Sequence, residues 1–395
     1  MNDLSPRKIH LRAVFAGRFQ AQPTHWCRAP GRVDLMGSHT DYNLGYVLTL
    51  PLSHDTWIAA RPRADRTLRL YSLNLESECV FSLDNLVAEA RQRWGKYPRG
   101  VAQVLQAEGF PLTGFDGVVH STVPISSGLS SSAALECAVA TVFEALGGWR
   151  LEPVQKAQLC QRAENQFVGV NCGILDQYTS CLGQAGCALL LDCRDLTSQP
   201  VALAQGLEVV ICDTKAKREL AGSEYGQRRA QCEEGARRLG VRALREVTLS
   251  DFYRREPELP AEVAKRCRFI VEENDRVLRL ATALRTLDRT AIRQLTSESF
   301  RGACDLYEIG APAMQAMMQA MLAAPGVLGA RQAGAGFGGC MVSFVEIGKI
   351  MEFRAAVMER YRVTTGLESE VYPVQPQAGA GPVQDDEARN DSMAK

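Results

Sequence analysis

No stretch of this 395-residue chain approaches the ~20 consecutive apolar residues that a membrane-spanning helix needs. The opening Met1-Asn-Asp-Leu-Ser-Pro has neither the basic end nor the apolar run of a secretory leader, so a cytoplasmic protein is expected. A surplus of charge is missing too. Forty-five basic side chains meet 45 acidic ones, leaving no net field to draw in nucleic acid or anionic lipid. Neither is expected as a partner. The thirteen cysteines form no CxxC pair, and several sit in apolar runs such as Cys187-Ala-Leu-Leu-Leu-Asp-Cys193. With an odd number in so long a chain, reduced and partly buried thiols fit better than a disulfide framework. There is no internal repeat, and no Gly-x4-Gly-Lys-Ser/Thr run, which excludes a P-loop lysine.

What is present is an ordinary globular composition, 46% hydrophobic and 23% charged. The length exceeds one compact core, so two domains are expected. Strand-like runs at Val47–Ile58, Thr67–Leu73 and Gly117–Val123 precede a helix over Ser131–Leu146, which Gly147-Gly148 should end. A second helix runs from Val154 to about Phe167, opened by Pro153. Cys187–Asp192 and Leu207–Cys212 read as short strands, with a weakly patterned connection at Thr197–Gln205 taken as the domain boundary. Helices follow over Ser223–Leu239, Pro260–Leu287 and Arg289–Tyr307, then a strand at Met341–Val345. These bounds give an extension at 1–24, domains at 25–200 and 206–376, and a tail at 377–395 expected to be disordered.

Three segments carry chemistry. Pro124-Ile-Ser-Ser-Gly-Leu-Ser-Ser-Ser-Ala-Ala134 joins a strand to a helix, where unpaired amides and the helix dipole favour an anion. A serine N-cap is the plain alternative, but three serines behind a glycine exceed what capping requires. Gly31-Arg-Val-Asp-Leu-Met-Gly-Ser-His-Thr-Asp-Tyr-Asn43 packs Arg32, Asp34, Ser38, His39, Asp41 and Asn43 ahead of a strand at Tyr46–Leu52. Gly334-Ala-Gly-Phe-Gly-Gly-Cys340 is a turn whose Gly334, Gly336, Gly338 and Gly339 allow close approach to a ligand. Any one of them could be structural; together they point to a phosphate-handling site.

The three segments resemble the signatures of the GHMP kinase superfamily, and among its branches the galactokinases, over about Cys27 to Pro376. The first resembles the phosphate loop GLSSSA, and the second the sugar signature usually written GRVNLIGEHTDYN. Gly169–Gln177 and Ser223–Glu233 are similar to further galactokinase wording. The resemblance implies an α+β, two-domain GHMP architecture. Its N-terminal domain would have the ribosomal protein S5 domain 2-like fold, its C-terminal domain a ferredoxin-like arrangement, and the site would lie between them.

It also implies roles. Asp176 would accept the proton of the sugar C1 hydroxyl, and Arg32 would stabilise charge on the attacking oxygen. An Arg–Asp pair merely joining two segments is the structural reading. Ser127, Gly128, Leu129, Ser130, Ser131, Ser132 and Ala133 would hold ATP, while Ser132 and Glu164 would ligate Mg²⁺. Trp94 would lie against adenine, though a large aromatic is more often core. Arg32, Ser38, His39, Asp41, Gly173, Asp176 and Tyr225 would meet the sugar. Sugar and ATP are the implied partners, and a monomer is expected.

Three departures stand out. Ser38 replaces the glutamate that in galactokinases receives the C6 hydroxyl, weakening that contact by ~1–3 kcal/mol. D-Galactose leads, with L-arabinose and galacturonate as alternatives. Phe300 and Gly302 replace a histidine and a serine, implying a different packing of that helix, and Ser126 replaces a common glycine. A non-catalytic sugar sensor is the reading of another class. The yeast galactose sensor lacks the serine–alanine pair retained here as Ser132-Ala133, and mevalonate kinases lack the His-Thr-Asp-Tyr segment.

Overall fold

The computed structural model describes residues 6–87, 93–125, 127–216 and 221–383, with only the backbone for 221–223. Ser126 therefore lies outside the described residues. Helix α1 (Pro6–Phe19) leads into β1 (His25–Met36), β2 (Tyr46–Pro62), β3 (Thr67–Ser72) and β4 (Ser77–Ser82). Then come α2 (Lys96–Ala107), β5 (Phe115–Ser121), α3 (Ser131–Gly147), α4 (Pro153–Ala163), α5 (Leu175–Leu182), β6 (Cys187–Asp192) and β7 (Thr197–Ala202). The second half runs β8 (Leu207–Asp213), α6 (Ala221–Arg238), α7 (Leu249–Arg255), α8 (Ala261–Thr286), α9 (Arg289–Asp305) and α10 (Pro312–Leu322). It closes with β9 (Val327–Gln332), β10 (Cys340–Glu346), α11 (Ile350–Thr365), β11 (Glu370–Val374) and β12 (Gly381–Pro382).

The strands form two sheets. One is mixed, ordered β12-β1-β2-β5-β3-β4, with β6 on β2 and β7 on β6. Strand β2 pairs with β1 along one edge and, because it is long, with two strands along the other: Tyr46–Thr49 with β6 and Thr56–Pro62 with β5. The other is antiparallel, β11-β8-β10-β9. Helices α2 to α5 cover the first sheet through a core that includes Val101, Leu105, Val139, Phe143 and Leu175. Between the sheets, Val33, Leu35, Leu48 and Leu50 meet Val209, Ile211, Leu280 and Phe344 in one continuous apolar cluster. The two halves thus share core and hold the signature strand β1 at their junction.

Local chemistry accounts for the helix ends that frame the site. Helix α3 stops at Gly148, whose φ of 67° suits a left-handed cap and whose N–H reaches Glu144 O. Helix α4 opens on Pro153 and widens into a π-helical turn at Glu164–Val168. Such turns recur at functional sites.

Two expectations need correcting. Thr197–Ala202 is not a loose connection but strand β7, paired with β6 from Cys187↔Ala202 to Asp192↔Thr197. Its mixed side chains hid it, because only Val201 is fully buried. Residues 377–383 are ordered against the first sheet. Gln377, Gly379 and Ala380 donate backbone N–H groups to Pro51, Gly183 and Ser180, and β12 pairs with β1. Backbone bonding orders this segment, with Ala380 packed at the edge of the first core; 384–395 lie outside the described residues.

The neighbours of α9 show what Phe300 and Gly302 do there. Phe300 packs against the core under α10 and α11. A Cβ at Gly302 would come within 3.0 Å of Phe269 Cδ2, so glycine lets α9 lie close on α8. All thirteen cysteines are free thiols, ten of them buried.

Candidate active site

The three chemistry-bearing segments converge on one cavity lined by residues of the signature, the phosphate loop, the 169–176 segment and Gly334–Ala335. Strand β1 delivers Arg32 to its wall. The Arg32 guanidinium donates from Nε (2.8 Å) and Nη2 (2.5 Å) to Asp176 Oδ1, and from Nη1 to the Gly128 carbonyl (2.7 Å). Its backbone N–H reaches Leu129 O at 3.1 Å. Burial alone would lower the Arg32 pKa, but Asp176, Asp34 and Asp41 raise it. One arginine thus ties strand, phosphate loop and aspartate into a rigid corner.

Asp176 sits in the first turn of α5, where the helix dipole favours a carboxylate. Its side chain is 26% exposed against 7% for Arg32, so the carboxylate faces the cavity. The second oxygen, Oδ2, accepts the Ser130 hydroxyl at 2.6 Å. Both oxygens are anchored; Oδ1 is taken by its two Arg32 bonds, and Oδ2 keeps a lone pair for an incoming hydroxyl. Nothing in the sequence marks Ser130 as this partner. It lies 46 positions away, and its role depends on a left-handed backbone (φ 62°) that turns its side chain from the helix end.

No side chain caps α3, which removes the ordinary serine-cap reading and leaves the first-turn amides facing the loop. Ser131 and Ser132 line the cavity with Gly128 and Ser130. Ser127, Leu129 and Ala133 support it from behind. Ser127 Oγ donates to Pro124 O at 2.8 Å, while Leu129 and Ala133 are fully buried. The glycine-rich turn completes the wall. Gly334, Gly336, Gly338 and Gly339 all have positive φ, between 74° and 118°, which only glycine adopts without strain. Cys340 N–H bonds to Ser127 O at 3.1 Å, locking this turn to the phosphate loop.

Behind Asp176 lies a carboxylate pair. Gln177 Nε2 donates to Glu164 Oε2 at 2.6 Å and to Glu136 Oε2 at 3.0 Å. Burial, and then Asp176, push Glu164 up to about 7, against hydrogen bonds from Cys172, Ser132 and Gln177. Glu136 is raised well above the usual range by burial and by Glu164. The signal in sequence was a glutamate amid the apolar run of α3 that follows the phosphate loop. Arg32 faces Asp176, Asp34 and Asp41, while Glu164 and Glu136 face Asp176 with no arginine of their own among the described groups that shift them, a balance that suits a cation. Among the described residues no cluster of three potential metal ligands is assembled.

On the sugar-signature side, Asp41 stands against Gly173. A Cβ there would fall 1.7 Å from Asp41 Oδ2, so the aspartate occupies space only glycine leaves. Burial and then Asp176 raise Asp41 to about 6. Tyr225 of α6 lines the cavity and packs at 5.3 Å from the His39 ring.

Of two further expected contacts, His39 lines the cavity and Trp94 does not. His39 has both nitrogens committed: Nε2–H donates to Ala335 O at 2.9 Å, so Nδ1 accepts the Tyr42 hydroxyl at 2.8 Å. Burial lowers its pKa to about 4, keeping it neutral. It holds the glycine-rich turn instead of offering a nitrogen to a sugar hydroxyl. Trp94 donates its ring N–H to Ser77 Oγ at 2.9 Å and packs at the edge of the first core, outside the cavity lining.

Comparison with known proteins adds two family matches, GHMP kinases N terminal domain over residues 96–184 and Galactokinase galactose-binding signature over residues 13–62. A galactokinase of Chloroflexus aggregans is 44% identical over 374 residues, covering 93% of this chain and 95% of its own. Lactococcus lactis galactokinase complexed with galactose superposes with a TM-score of 0.91 at 31% identity, covering 95% of this chain and 100% of that one. Methanococcus jannaschii mevalonate kinase, at 14% identity and a TM-score of 0.63, covers 90% of this chain and 99% of its own, and shares the fold.

Proposed function

The chain belongs to the galactokinase family of GHMP kinases, and from that premise we propose that it transfers the γ-phosphoryl group of ATP to the anomeric C1 hydroxyl of D-galactose. The observation that carries this is the anchored, partly exposed Asp176 carboxylate held by Arg32 and Ser130 beside an uncapped helix start. The sugar would lie between Arg32, Asp41, Gly173 and Tyr225. As its C1 oxygen bonds to phosphorus and the bond to ADP breaks, Asp176 takes the hydroxyl proton. Arg32 stabilises the negative charge on that oxygen. The first-turn amides of α3 and the hydroxyls of Ser131 and Ser132 would hold phosphate oxygens.

The residues fit Mg²⁺. Glu164 and Ser132 are adjacent in an electronegative corner, and Mg²⁺ needs few protein ligands beside water and phosphate. When bound, it would neutralise charge on the transferring group. Units at 25–200 and 206–376 would bound the site, in a cytoplasmic enzyme; among the described residues no helix is long and apolar enough to cross a membrane.

The test is a panel: purified protein, Mg-ATP, and galactose, L-arabinose, galacturonate or N-acetylgalactosamine, reading ADP release. Turnover highest with galactose is expected; binding without turnover on any sugar sinks the reading.

Two further results are expected. Gly173→Ala pushes a methyl into Asp41 and should raise the galactose KM about tenfold or more, with a smaller change in kcat. Galactose affinity should also depend on Asp41. With its pKa near 6, the carboxylate form dominates above that value and the neutral acid below. KM should therefore climb as pH falls through 6, by up to about tenfold per unit. Stability runs the other way: a raised folded pKa contributes stability below the unfolded value and loses it as pH rises through 6. Titration calorimetry between pH 5 and 8 reads the affinity, and a flat profile contradicts the assignment.

A further inference from the structure

Ser38, the departure in the sugar signature, has a partner in the fold that no sequence spacing reveals. Its Oγ donates to Asp34 Oδ2 and accepts from Arg331 Nη2 at 3.0 Å. Arg331 is fully buried, and its five N–H groups all find acceptors. Nε goes to Ser299 Oγ at 3.1 Å, and Nη1 to the carbonyl and carboxylate oxygens of Asp34, both at 3.4 Å. Nη2 divides between Ser38 and Glu273 Oε1, the latter at 3.3 Å. Glu273 is in turn closed by Ser299 at 2.7 Å and by Arg276 at 2.8 Å. The remaining oxygen of Asp34 accepts the Gly334 N–H. Carboxylate, hydroxyl and guanidinium form one satisfied unit.

Asp34 and Ser38 both line the cavity. Arg32 and Asp34 lie on the same face of β1, in unbroken register with Pro51, Leu50 and Thr49, so they stand about 7 Å apart along it. A sugar whose acceptor hydroxyl meets Arg32 and Asp176 therefore presents its far end to Asp34 and Ser38. Against the signature wording GRVNLIGEHTDYN, this chain differs at both positions: aspartate for asparagine at 34, serine for glutamate at 38. One carboxylate is gained and one lost, and the fold sets the two positions against each other.

We propose that Asp34 and Ser38 are an exchanged pair that determines specificity at the far end of the sugar. Asp34 supplies the carboxylate for this end of the pocket, and Ser38, its proton committed to Asp34, presents a neutral acceptor to a sugar hydroxyl. Of its two lone pairs, one takes Arg331 and one remains. An acidic substituent there meets the Asp34 carboxylate, while the donors of Arg331 are already used, so galacturonate is rejected. Ser38→Glu alone then cannot improve galactose turnover, because it buries a second carboxylate beside the first.

This inference rests on the sugar-kinase reading, and the experiment separates the two. Wild type, Asp34→Asn, Ser38→Glu and the double variant are assayed for kcat/KM on galactose, L-arabinose and galacturonate, each with a melting curve. Each single variant should lose about tenfold on galactose, and relatively less on arabinose, which lacks C6. The double variant should return to within about threefold of wild type, with the galactose-to-arabinose ratio restored. Losses that simply add in the double variant, or a ratio unchanged across the four, overturn the proposal and leave a structural network only. Should a single variant not fold, Ser38→Ala keeps the charges in place and should still lower the ratio; an unaltered ratio overturns it. A wild-type protein inert on every sugar defeats the kinase reading instead.

Discussion

Asp176→Asn should reduce kcat by about a thousandfold while leaving the fold and galactose binding nearly intact. The amide is isosteric with the carboxylate, so its oxygen can still accept the two Arg32 bonds that Oδ1 accepts now. Its NH₂ can face Ser130, whose hydroxyl can accept as readily as it donates. Geometry is kept and the proton acceptor is lost. General-base assistance contributes about 10²–10⁴-fold, and here the lost negative charge also leaves the cation of Arg32 less balanced. Single-turnover rates, together with galactose titration of the variant, separate chemistry from binding. A kcat within tenfold of wild type would show that the Arg32–Asp176 pair only joins two segments.

The second large effect is expected on stability. Arg331→Met should destabilise the protein by about 3–5 kcal/mol, because it removes a cation that faces both Asp34 and Glu273 in a fully buried network. Burial alone would raise Glu273; Arg276 and then Arg331 hold it below its ordinary value. In the variant Arg276 still pairs with Glu273 at 2.8 Å, whereas Asp34 keeps only Ser38 and the Gly334 amide. Urea unfolding of the variant beside the wild type measures this, and a deficit below 1 kcal/mol contradicts it. The cost falls at the seam between the two sheets, where the apolar cluster is continuous, so one cooperative transition should shift.

Much of the site was legible in order along the chain. The phosphate loop, the sugar signature and the glycine-rich turn are short, and their requirements are local. A helix start needs no distant residue to expose amides, and a turn with φ near +100° needs glycine whatever packs on it. Apolar periodicity likewise placed α3 and α8 close to their observed ends. Strand β7 escaped because an edge segment with one buried side chain has no period to read. Residues 377–383 escaped because backbone bonding, blind to side chains, orders them.

What the fold alone decided are the partnerships. Ser130 was legible as a phosphate-loop serine, but its bond to Asp176 depends on a left-handed backbone and on where α5 begins. The HTDY wording pointed His39 toward sugar, yet the Ala335 carbonyl, 296 positions on, takes one of its nitrogens. Ser38 read in isolation suggested a weakened pocket. Folding places it between Asp34 and an arginine 293 positions away, where the same serine completes a charge-balanced wall. By itself the sequence determined the chemistry class, because phosphate binding rests on backbone conformation that a few adjacent residues dictate. Tertiary structure decided how the sugar end is balanced, because Coulomb interactions among buried groups depend on distances that only packing sets.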